Sequence, residues 1–208
     1  MRPQRITITP QVDTDGICAS QTPLAAGNLT IAGALASGGS VTLNYGHLIK
    51  VACAGADAAR TFTITGTDCN GIALTEDVSG SGSSTTSSTK YFKTVTQVAV
   101  DAATAGAITV GVNADSVSNW LTLDRNISPF SVGFGVVVTG TIDYTVQHTF
   151  DDIQIANPSG VTAFNHASIA AKTDNQNSNY AYPCVATRIL INSVTSGATL
   201  TFNVIQAG

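Results

Sequence analysis

Apolar and polar residues alternate along much of the chain, and the alternation is broken every few residues by Gly, Pro, Asn, Asp or Ser. Period-two alternation puts one set of side chains on each face of an extended strand. On this pattern "RITITP", "NLTIAGAL", "SVTLNYG", "HLIKVACAG", "RTFTITGTD", "IALTEDV", "YFKTVTQVAV" and "AITVGVN" are expected to be strands of the first half. "LTLDRN", "PFSVGFGVVV", "TIDYTVQHTF", "TRILINSV" and "ATLTFNVIQAG" are those of the second. Asn70-Gly71, between two such runs, predicts a tight hairpin. "SGSGSSTTSST" is expected to be a flexible connection or exposed tip, and residues 151–180 a long irregular segment. Many short, turn-bounded strands predict an all-β chain of two tandem β-sandwich or jelly-roll-like modules, residues 1–115 and 116–208.

The halves also resemble each other. "QVAVDAATAGAITVGV" (97–112) matches "RILINSVTSGATLTFNV" (188–204), and "FTITGTD" (62–68) matches "YTVQHTFD" (144–151). The blocks keep the same order, which predicts a degenerate duplication. The match sets Asp151 where Asp68 stands, at the entry to a turn, and His148 where Gly66 stands.

Composition narrows the picture. Charged residues are 11% of the 208, against roughly 25% in an ordinary soluble domain. The polar surface must come from Thr, Ser, Asn and Gln. A single Glu, Glu76, and a single Met argue against long helices. Net charge is −4, and the nine basic residues are scattered, so no nucleic-acid partner is expected. "MRPQRITITP" has no apolar core of a signal peptide, and no apolar run reaches the about 18 residues of a membrane helix; no membrane partner is expected. The same ten residues are expected either to add a strand to a neighbouring subunit or to form a disordered terminus. Cys18, Cys53, Cys69 and Cys184 lack paired zinc spacing. Free thiols are expected, with a Cys53–Cys69 disulfide left open.

Candidate chemistry is sparse. "HTFDD" brings His148 close in sequence to Asp151 and Asp152, which have the ligand types of a metal-dependent hydrolase. A strand end followed by an Asp turn is the expected structure there. "DTDG" (13–16) lacks the later ligands of a calcium loop and is expected to be a turn. His47 and His166 are expected at the surface or hydrogen-bonded. Trp120 is expected to be buried near the join of the halves. Tyr180 and Tyr182, in "NYAYP", are candidates for a carbohydrate-stacking pair, with Trp120 as a third. No catalytic, cofactor-binding or metal site is expected, and no cofactor.

"FTITGTDCNGIALTEDV", "YFKTVTQVAV…ITVGV" and "TRILINSVTSGATLTFNVIQAG" resemble small β-rich virion structural proteins of tailed bacteriophages. The resemblance spans most of the chain. It implies a non-enzymatic part of the virion, assembled in the host cytoplasm: a capsid decoration or cement protein that stabilises the shell as a homo-oligomer. Its partners would be the major capsid protein or tail subunits. Residues 81–89 and 151–180 would be the contact elements. A tail-associated or adaptor protein, and a carbohydrate- or host-surface-binding sandwich, are the alternatives.

Overall fold

Val, Ile, Thr and Phe crowd the alternating runs, and their branched or flat side chains fit a half-buried pleated surface. The computed structural model describes residues 3–126, 128–153 and 161–206, and among them there are strands and no helix. The chain is all-β and sandwich-like, and it divides into two compact units. One is Gln11–Ala114; the other joins Met1–Pro10 to Asp115–Gly208.

In the 11–114 unit the strands are β2 (Asp13–Gln21), β3 (Gly27–Asn28), β4 (Ala36–Ser37), β5 (Ser40–Cys53), β6 (Thr61–Thr67), β7 (Ala73–Ser79), β8 (Thr85–Ser87), β9 (Phe92–Val100) and most of β10 (Ile108–Val117). β7, β6 and β9 form one run of neighbours and β2, β10, β5 and β8 another; β5 also pairs with β9. One core lies between them. Ile17, Leu43, Ile49, Phe62, Ile64, Phe92, Val98, Ile108 and Val110 are all buried in it.

The second unit contains β1 (Gln4–Ile8), β11 (Leu121–Thr122), β12 (Val132–Thr139), β13 (Ile142–Thr149), β14 (Phe164–Asn165), β15 (Gln176–Tyr180), β16 (Ala186–Val194) and β17 (Thr199–Gln206). Here β14, β13 and β16 are neighbours, and β1, β17, β12 and β15 form a four-stranded sheet. The run β14–β13–β16 corresponds to β7–β6–β9, and β1–β17–β12–β15 to β2–β10–β5–β8, while β4 and the β5–β9 pairing of the first unit have no counterpart among the described residues. The pairing register agrees too. Phe62 faces Val100 and Ile64 faces Val98 across β6–β9; Tyr144 faces Ile191 and Val146 faces Ile189 across β13–β16. These are the positions that the sequence match makes equivalent.

Several expectations are corrected. Residues 1–10, assigned by sequence to the 1–115 module, pair through β1 with β17 of their own chain, from Gln4↔Val204 to Ile8↔Leu200. "DTDG" opens strand β2 rather than forming a turn, with Asp13 Oδ1 accepting from the Asp15 N–H at 3.2 Å. "NLTIAGAL" is mostly irregular, although Leu29 and Ile31 are buried. "SGSGSSTTSST" is not a free tip. β8 pairs with Lys50–Ala52 of β5. Ser88 is buried and its hydroxyl accepts from Ile49 N–H at 2.8 Å, while the Glu76 carboxylate accepts from the N–H groups of Thr89 and Lys90. Backbone pairing needs no apolar side chain, so apolar periodicity misses such a strand. The same holds for β15, inside the 151–180 segment. Residues 154–160 of that segment lie outside the described residues.

The Asn70-Gly71 hairpin forms as expected: Gly71 has φ +79°, and Thr67 pairs with Ala73. Gly66 is constrained differently. A Cβ there would collide with the Thr94 carbonyl oxygen, at the register shift between β6 and β9. A Cβ at Gly133 of β12 would meet only the Ile205 side chain at 3.6 Å. Gly66→Ala is therefore expected to cost about 1–3 kcal/mol. Gly133→Ala should be neutral or stabilising by up to about 1 kcal/mol. Urea unfolding of the two variants checks the contrast.

Candidate functional site

β13 ends at Thr149, and period two carries His148 and Phe150 to one side of it. β14 places Phe164 directly opposite His148. β15 ends at Tyr180, and Tyr182 follows two residues later. These rings gather around the imidazole. Its centroid lies 5.4 Å from Phe150, 5.9 Å from Phe164, 5.1 Å from Tyr180 and 5.7 Å from Tyr182. Phe150 also touches Phe164 and Tyr182, at 5.7 and 6.1 Å.

The cluster has a buried base and an exposed rim. Tyr180 is fully buried, beside Phe134, with its hydroxyl 3.4 Å from Thr187 Oγ1. Phe150, Phe164 and Tyr182 are 51%, 46% and 45% exposed. Three adjoining half-exposed aromatic rings form an apolar surface of the kind that marks interaction sites. The rim rings are tilted to one another, 59° for Phe150–Phe164 and 33° for Phe150–Tyr182, so they offer no single flat platform.

His148 is buried beneath this rim. Tyr182 Oη lies 3.3 Å from its Nε2, and its Nδ1 has no hydrogen-bond partner among the described residues. Burial, helped by the neighbouring His166 imidazole, holds its pKa below the ordinary histidine value. Asp151 does not join it in a ligand set. Its Oδ2 accepts from the Thr162 N–H at 2.6 Å, and its own N–H donates to Thr149 Oγ1. Asp68 differs: its carboxylate caps the turn that follows it, accepting from the N–H groups of Asn70 and Ile72, whereas the Asp151 carboxylate reaches a backbone N–H eleven residues on. Among the described residues no three His, Cys, Asp or Glu side chains group to hold a metal ion, and the His148, Asp151 and Asp152 hydrolase arrangement gains no geometric support.

The carbohydrate candidates are also separated. Tyr180 is inaccessible. Trp120 is half-buried against Ile153, Val185 and Ala186, and the Arg188 guanidinium covers one ring face at 4.3 Å. Tyr182 alone of the three belongs to the exposed rim. Phe150 was legible from its period-two relation to His148. Phe164 was not, because β14 is two residues long and carries no alternation.

A shallow concavity of about 470 Å³ lies over the β1–β17–β12–β15 sheet, with Gly133, Gly135, Asn177, Asn203 and Ile205 among its lining. Among the described residues no ionisable side chain lines it. No two of the described cysteines are joined by a disulfide. Cys18, Cys53 and Cys184 are buried, and burial pushes the Cys18 thiol up to about 12 and Cys184 to about 11, far from a reactive thiolate. No helix is long and apolar enough to cross a membrane among the described residues.

His47 and His166, like His148, are buried. The Asn113 carbonyl is 3.1 Å from His47 Nδ1, yet burial dominates and lowers the His47 pKa. Two imidazoles held below the ordinary value of about 6.5 give a definite sign. Well above that pH both folded and unfolded chains are neutral at these rings. As pH falls through it the unfolded chain takes up protons first, so stability drops. We expect a lower urea midpoint at pH 5.5 than at pH 7.5, and a shallower pH dependence in His47→Gln and His148→Gln. Equal slopes in the variants and the parent would contradict this.

No family model matches the sequence, and no curated protein matches it.

Proposed function

We propose that this protein is a non-enzymatic structural component of a tailed-bacteriophage virion, a decoration or cement protein that stabilises the capsid shell through subunit interfaces. The observation that carries the interface is the Phe150, Phe164 and Tyr182 rim. Aromatic anchors that lose water on contact supply much of the energy of a typical interface. The virion setting rests on the resemblance of "FTITGTDCNGIALTEDV" and "TRILINSVTSGATLTFNVIQAG" to such proteins. Low charge and a positive mean hydropathy of +0.21 suit a surface that is covered on assembly. Within this reading the two units descend from one duplicated module, which the shared strand order and register support. A carbohydrate-binding role is second. Tyr182 favours it, while the burial of Tyr180, the covered face of Trp120 and the tilt of the rim rings count against it.

The test is co-sedimentation with assembled capsid shells that lack the protein. The wild-type chain should bind. Phe150→Ser, Phe164→Ser and Tyr182→Ser together should weaken binding at least about tenfold, measured at a temperature at which circular dichroism shows the variant folded. No binding by the wild type, or equal binding by the triple variant, would overturn the proposal.

A further inference from the structure

β1 stands in an unusual covalent position. It completes the unit formed by residues 115–208, but the chain leaves it through Thr9 and Pro10 and builds the whole 11–114 unit before returning. Its counterpart β2 lies on β10 as β1 lies on β17, yet β2 is contiguous with the unit that it serves. The β17 edge is thus completed by a strand tethered only through a short link and a separate unit.

What holds β1 is the same whichever copy supplies it. Gln4, Arg5, Ile6, Thr7 and Ile8 pair in order with Val204, Asn203, Phe202, Thr201 and Leu200, and Ile8 is buried. Exchange between copies would keep every one of these contacts. The balance then depends on the link and on the local concentration of chains. The link favours extension: Pro10 fixes its own φ and biases Thr9 toward the extended region. Gln11 is already anchored in the other unit, its Oε1 accepting from Asn44 N–H at 3.0 Å. Two residues thus separate the strand from the next fixed point, and short hinges invite exchange. The outer edge of β1 carries the charged, exposed Arg5 and is bracketed by Pro3 and Pro10, features that block further strand addition. Exchange would therefore stop at one partner for each β1 rather than spreading edge to edge.

We propose that β1 is an exchangeable strand: where chains are concentrated, β1 of one copy pairs with β17 of a second copy of this chain. This inference is independent of what shell, if any, the protein binds.

The test uses full-length chains in a Cys69→Ser background, since the other three thiols are buried. Arg5 and Asn203 face each other across β1–β17, and both are exposed. One chain carries Arg5→Cys and one tag; a second carries Asn203→Cys and another tag. The two are co-expressed, concentrated and treated with a short bis-maleimide. A cross-linked species bearing both tags is expected. Replacing the second chain by an Asn177→Cys chain, with its cysteine on the far edge strand β15, should abolish it. A double Arg5→Cys, Asn203→Cys chain reports pairing within one copy. If that chain closes on itself while the mixed chains stay monomeric, or if the Asn177→Cys chain links equally well, the inference fails. Because the cross-link reads strand pairing and not shell binding, its failure leaves the virion reading standing, and the converse also holds.

Discussion

Each unit is built on one antiparallel pair, β6 with β9 in one and β13 with β16 in the other. The apolar members of each pair point into the core, where Phe62, Ile64, Tyr144, Val146, Ile189 and Ile191 are all buried. Burying a large apolar side chain contributes about 1.5–3 kcal/mol. The Arg60–Asp101 ion pair, at 3.7 Å, is partly exposed, and such pairs contribute at most about 1 kcal/mol. Burial of the paired strands is the larger contribution in this low-charge chain.

With so few charges, uncharged polar side chains must satisfy the backbone where the ladders end. Gln206 accepts from the Asp124 N–H and donates to the Asp124 carbonyl. Gln21 does the same for Thr30, and the Thr187 hydroxyl donates to the Gln147 carbonyl. An unpaired buried amide would cost more than any such bond contributes, so these residues define where the strands can stop. The abundance of Thr, Ser, Asn and Gln thus follows from the architecture.

This explains what was readable beforehand. Alternating runs such as "TFTITGT" and "IDYTVQHT" declared their strands, and the Asn-Gly pair declared its hairpin, because side-chain burial and φ preference are local signals. The match between "FTITGTD" and "YTVQHTFD" anticipated a shared register. β8 and β15 escaped notice because their pairing is carried by backbone groups in polar sequence. The placement of β1 escaped because it depends on a partner almost 200 residues away. The aromatic rim was half legible: His148 and Phe150 share a face by spacing, but Phe164 and Tyr182 arrive from other strands through tertiary contact alone. Tyr180 and Tyr182 looked alike in "NYAYP" and have opposite exposures, since only the first lies within β15.

The resulting picture is of two β units, one of which presents a half-exposed aromatic surface above the buried His148 imidazole. On the proposed reading this surface is a place for protein contact. The mass of the purified chain in solution tests this most directly. Light scattering over a wide concentration range should give a discrete oligomer that persists on dilution into the micromolar range. A monomer at every concentration would contradict the view that this protein works through subunit interfaces.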